Sequence, residues 1–163
     1  MRVPLHAWLA RVARGARRAI RGVFGRGGGT AMEDAKHTGG CLCGGVRYEI
    51  RGELRAVIAC HCSQCRRTSG HFAAMTSAPH ERLTLTSAAT LVWYRSSASA
   101  ERGFCGVCGS NLFWRPRAEA RTSITAGTLD APTGIAIERH IFVGDKSDYY
   151  EIADALPKTA GWD

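Results

Sequence analysis

Gly40-Cys41-Leu42-Cys43-Gly44-Gly45 runs directly into Val46-Arg47-Tyr48-Glu49-Ile50. The second half alternates apolar and polar residues, the period of a strand with one buried face. The first half sets two thiols one residue apart between glycines, which let the backbone turn tightly enough for both sulfurs to face one ion. The same texture continues outward. Strands are predicted at Arg55–Ala59, Phe72–Thr76, Arg82–Thr86, Leu91–Tyr94, Asn111–Trp114, Arg121–Ala126 and Ile135–Val143, with Gly, Pro, Ser and Asn between them. Two short helices are expected, around Gln64–Thr68 and around Tyr149–Leu156, the second ended by Pro157. There is no alternation of strands with long helices and hence no doubly wound sheet. The fold class is mainly β, in one domain.

Seven cysteines cannot all pair as disulfides, because the number is odd. They cluster as Cys41/Cys43, Cys60/Cys62/Cys65 and Cys105/Cys108, spacings that suit metal ions better than long-range staples. Cys105-Gly106-Val107-Cys108-Gly109 is a second knuckle. Joined to Cys41 and Cys43 it supplies four sulfurs, a closed tetrahedral shell whose role is to fold the domain. Cys60-His61-Cys62-Ser63-Gln64-Cys65 has three thiols in six residues and no obvious fourth partner. Three ligands leave a zinc ion one position for water or substrate. Spacing alone leaves open which pair joins the triplet, and whether His61, His71 or His140 closes a second shell. In an extended segment the His61 side chain points away from those of Cys60 and Cys62. Arg66 and Arg67 follow at once, either as a cationic pocket wall for a carboxylate or as a solvated pair on a short helix.

The formal charge of +8 sits mostly at one end. Residues 1–31 hold seven arginines and no acid, whereas the remaining 132 residues hold 15 bases against 14 acids. A nearly neutral body gives no reason to expect a nucleic-acid partner. Within residues 1–31, Leu5, Trp8, Leu9, Val12, Ala16, Ile20, Val23 and Phe24 recur at helical spacing before a glycine-rich break. This leader reads as a basic amphipathic helix suited to an anionic membrane surface, as a disordered extension, or as an upstream stretch before a start at Met32. Arginines interrupt its apolar residues, so no signal-peptide core is present. No stretch approaches a membrane span, and clustered thiols fit a reduced, cytoplasmic protein.

Three motifs occur in order: Gly39-Gly40-Cys41-Leu42-Cys43-Gly44-Gly45-Val46-Arg47-Tyr48, Cys60-His61-Cys62-Ser63-Gln64-Cys65-Arg66-Arg67-Thr68-Ser69-Gly70, and Phe104-Cys105-Gly106-Val107-Cys108-Gly109-Ser110-Asn111-Leu112. Together with His140-Ile141-Phe142-Val143 and Glu151–Pro157 they resemble the glutathione-dependent formaldehyde-activating enzyme family, also called the centromere-protein-V/formaldehyde-activating (GFA) domain. The resemblance covers residues 38–158 and leaves out the leader. It implies a β-tent fold of small, twisted antiparallel sheets. It implies a structural zinc on Cys41, Cys43, Cys105 and Cys108, and a second, catalytic zinc on Cys60, Cys62 and Cys65. It also implies a carbon–sulfur lyase whose partners are a small thiol such as glutathione and an aldehyde, joined as S-(hydroxymethyl)glutathione. Tyr149 departs from the pattern, since family members often carry Trp there.

On that basis zinc polarises the oxygen of an aldehyde or hemithioacetal, or instead activates the thiol. His61 is a candidate proton relay, and Arg66 and Arg67 are candidates to bind the thiol's carboxylate. The alternative, from another class, is a zinc-stabilised interaction module without turnover. Iron–sulfur ligation is a more distant possibility.

Overall fold

The alternation at residues 46–50 becomes burial in the computed structural model, which describes residues 35–162. Val46, Tyr48 and Ile50 are fully buried, while Arg47 and Glu49 are only partly so. This strand is β2 (Val46–Arg51), the middle of a three-stranded antiparallel sheet between β1 (Lys36–Gly40) and β5 (Leu83–Ala88). The remaining strands are β3 (Val57–Cys60), β4 (Ala73–Pro79), β6 (Leu91–Arg95), β7 (Ala100–Cys105), β8 (Asn111–Pro116), β9 (Arg121–Thr125) and β10 (Ile137–Ile141). They form a seven-stranded sheet in the order β10-β3-β4-β9-β8-β7-β6. The one α-helix among the described residues, α1 (Ser63–Ser69), connects β3 to β4.

The two sheets share a core. Tyr48 from the smaller sheet meets Phe113 from the larger edge-to-face, with centroids 5.3 Å apart, and Trp93 stacks on the same phenyl ring at 6.0 Å. Leu112, Ile124 and Ile50 complete the contact. The Tyr48 hydroxyl is satisfied by Thr128 Oγ1 at 2.7 Å, so its ring is buried without an orphaned polar atom. Phe113→Ala removes the ring on which both sheets close. It is expected to cost about 3–5 kcal/mol, read as a lower midpoint in urea unfolding of the zinc-loaded chain.

The mainly β class and the single domain predicted from the sequence are what the structure shows. Three details differ. First, residues 149–156 form no helix. The Tyr150 and Asp154 side chains are committed to buried histidines, and the backbone beyond them pairs with His140 (His140 N–H to Pro157 O at 2.8 Å, Thr159 N–H to His140 O at 3.0 Å). Secondly, β10 runs parallel to β3, so the larger sheet is mixed rather than wholly antiparallel. Thirdly, β1 and β7 are strands that the periodicity did not reveal. The basic leader, residues 1–31, lies outside the described residues. No helix among the described residues is long and apolar enough to cross a membrane.

Candidate functional site

The first knuckle precedes β2 and the second joins β7 to β8, and the inter-sheet core brings them together. Their sulfurs, from Cys41, Cys43, Cys105 and Cys108, all lie within 4.8 Å of one another. Cys41–Cys43 and Cys43–Cys105 are separated by 3.5 and 3.6 Å. A tetrahedral zinc with Zn–S bonds of about 2.3 Å holds its sulfurs about 3.8 Å apart, whereas a disulfide needs about 2.05 Å; all seven cysteines are free thiols. Gly44 and Gly109 take φ of +79° and +74°, which lets each knuckle fold back. Backbone N–H groups then reach the sulfurs, Val46 to Cys41 at 3.2 Å and Cys108 to Cys105 at 3.5 Å. Hydrogen bonds to Thr90 and to the Cys108 amide hold the Cys105 thiol below its ordinary pKa, and Ser110 lowers Cys108 to about 5. These donors favour the thiolate form that binds metal.

The second group comprises Cys60, Cys62 and Cys65 alone, their sulfurs also within 4.8 Å of one another. No histidine, carboxylate or further cysteine joins it among the described residues. Cys60 ends β3, and Cys62 caps α1, its sulfur accepting the Cys65 N–H at 3.4 Å. One turn of helix then brings Cys65 to the same side. Hydrogen bonds from the Cys60 and Cys65 thiols hold Cys62 far below the usual thiol range, while the same contact pushes Cys60 up. The trio therefore gives up one proton readily. An all-sulfur donor set of this kind suits zinc better than a hard cation.

The three thiols line an open cavity of ≈ 230 Å³ with Arg55, Arg102, Gln64, Trp114, Phe142 and Trp162. Arg102 arrives on β7, is almost wholly buried, and donates from Nη2 to Cys65 Sγ at 3.7 Å. Arg55 donates from Nη2 to the Met75 carbonyl at 2.9 Å, and burial pushes its guanidinium below the ordinary arginine value. The Nε atoms of both arginines are buried without a hydrogen-bond partner. Buried, partly unsatisfied guanidinium groups are costly unless an anion completes them. Three thiolates around a divalent ion would carry one net negative charge, and Arg102 lies beside them at Cys65.

The residues expected from the sequence divide into two sets. The seven cysteines gather as four and three. His61 is fully buried on the side of the chain away from the cavity, with Nδ1 2.5 Å from the Tyr150 hydroxyl and Nε2 2.8 Å from His140 Nδ1. Burial, reinforced by His140 and His71, lowers its pKa to about 4. Arg66 and Arg67 occupy the last turn of α1, where cations complement the helix dipole, and neither lines the cavity. Arg55, Arg102, Trp114 and Trp162 line the cavity beside the three thiols and lie outside the cysteine motifs. A lone arginine within the small-residue stretch around Gly103 was the one signal available for Arg102.

A profile described as glutathione-dependent formaldehyde-activating enzyme matches residues 36–145. A protein of Schizosaccharomyces pombe named an uncharacterized lyase is 26% identical over 121 residues, 73% of this chain and 87% of its own length. A crystal structure of a Rhodobacter sphaeroides protein is 29% identical, spanning 58% of this chain and 88% of the other, with a TM-score of 0.49.

Proposed function

The chain belongs to the glutathione-dependent formaldehyde-activating enzyme family, and from that premise we propose that it is a zinc-dependent carbon–sulfur lyase acting on glutathione–aldehyde adducts of the S-(hydroxymethyl)glutathione type. One observation carries the proposal: Cys60, Cys62 and Cys65 form a three-thiol group on a cavity wall with no fourth protein ligand among the described residues. Two zinc ions per chain are expected, a structural one on Cys41, Cys43, Cys105 and Cys108, and a catalytic one on the trio. Held by these three thiols, a zinc ion would supply Lewis acidity and thiol activation.

The chain's own residues bind, orient and balance charge. Arg102 and Arg55 offer guanidinium groups to a carboxylate of the thiol substrate, and Arg102 offsets the thiolate charge beside Cys65. Trp114, Phe142 and Trp162 form the apolar walls against which the adduct would lie. In the cleaving direction the adduct's hydroxyl loses its proton, its C–O bond becomes C=O, the C–S bond breaks, and the departing sulfur takes up a proton. Among the described residues the lining contains no imidazole or carboxylate. His61 has both ring nitrogens engaged elsewhere, so the proton passes through solvent or the thiol itself.

The test is exchange NMR of formaldehyde and glutathione at equilibrium, with and without the zinc-loaded chain. Interconversion faster than the spontaneous rate, lost when a chelator removes one of two zinc ions, is the expected result. Two inert ions and no acceleration would leave a zinc-stabilised interaction module instead.

A further inference from the structure

A continuous chain of hydrogen bonds runs behind the cysteine trio: Tyr150 hydroxyl to His61 Nδ1 at 2.5 Å, His61 Nε2 to His140 Nδ1 at 2.8 Å, and His140 Nε2 to Asp154 Oδ2 at 2.9 Å. His61 and His140 are buried, and only the two ends approach solvent. A carboxylate only accepts, so His140 Nε2 donates to Asp154 Oδ2. Every ring nitrogen of the two buried histidines thereby has a hydrogen-bond partner, which fixes both rings in place.

The chain bears on the cysteines through the backbone. Cys60, His61 and Cys62 are consecutive, and side chains in extended backbone alternate between faces. Fixing the His61 ring on one face fixes where the two flanking sulfurs point on the other. The main chain is held at the same place, His61 N–H donating to Ile141 O at 3.0 Å. We infer that Tyr150, His140 and Asp154 are positioning residues which, through His61, set the orientation of Cys60 and Cys62 and so govern how firmly the trio holds its ion. This rests on the proposed metal role of the trio. The segment after β10 thereby acquires a defined role, since Tyr150 and Asp154 reach back from it to the ligand loop.

The experiment compares the full zinc-loaded wild-type chain with Tyr150→Phe, Asp154→Ala and the control Tyr149→Phe. Tyr149 lies next in sequence, but its hydroxyl pairs with half-buried His71 at 2.9 Å and takes no part in the chain. In Tyr150→Phe and Asp154→Ala the trio's zinc is expected to pass to a chelator about 10-fold faster, with release from the four-cysteine site unchanged. Tyr149→Phe is expected to behave as wild type. Equal release in all four proteins, or equal acceleration at both sites, would overturn the inference. A wild-type chain that takes up a single ion would overturn the proposed function separately. The amide signals of Cys60 and Cys62 would then decide the positioning role, which stands if Tyr150→Phe moves them while Tyr149→Phe does not, and falls otherwise.

Discussion

Cys62→Ser is expected to leave one zinc per chain instead of two and to return glutathione–formaldehyde exchange to its spontaneous rate, with the far-UV circular dichroism spectrum nearly unchanged. The substitution separates two jobs that the thiol performs at once. As a cap it accepts the Cys65 N–H at the start of α1, and serine is among the residues that cap best. As a ligand it is the member of the trio whose proton leaves most readily, because hydrogen bonds from Cys60 and Cys65 stabilise its thiolate. A serine hydroxyl does not ionise near neutral pH, so the remaining pair of thiols holds zinc weakly while the helix stays in place. Metal analysis after gel filtration, alongside the exchange assay, checks both halves. Full activity in the variant would refute the proposed role of the trio.

The parts of this architecture that were legible in the sequence are those in which side chain and structure share a period. In β2, Val46, Tyr48 and Ile50 all face the core and the charged residues between them do not. The turning-away of His61 from Cys60 and Cys62 was legible for the same reason. β1 carried no such signal: Lys36-His37-Thr38-Gly39-Gly40 has no large apolar residue and joins the sheet through its backbone ladder and the Lys36–Glu49 ion pair. β7 was hidden differently, since its buried positions include Arg102 and Gly103, neither of which reads as core. That same strand delivers the cation that touches Cys65. Adjacency in sequence pointed instead to Arg66 and Arg67, but successive helical residues are rotated by about 100°. Cys62 and Cys65 face the cavity, and the arginines turn away from it. At residues 149–156 the four-residue spacing of Tyr150 and Asp154 imitates a helix, whereas what holds them is two histidines from β3's end and from β10, which no local pattern encodes.

Replacing Cys105 with serine should have the opposite profile, a chain that no longer melts cooperatively or whose midpoint falls by roughly 15 °C or more. Cys105 is completely buried at the end of β7, and its sulfur accepts from the Cys108 N–H and contacts Thr90 Oγ1 at 3.0 Å. Through the four-sulfur group it ties the loop before β2, in the smaller sheet, to the turn between β7 and β8, in the larger. These positions are more than 60 residues apart, so losing the tie frees the two sheets to separate. Structural zinc sites in small domains contribute about 10–16 kcal/mol of apparent binding energy, against a typical net stability of about 5–15 kcal/mol. Forfeiting even half of that contribution removes most of the stability. Calorimetry of Cys105→Ser beside Cys62→Ser, both purified with excess zinc, measures the contrast. A midpoint within a few degrees of wild type for Cys105→Ser would mean that the packing of Tyr48, Phe113 and Trp93 holds the sheets together without the metal.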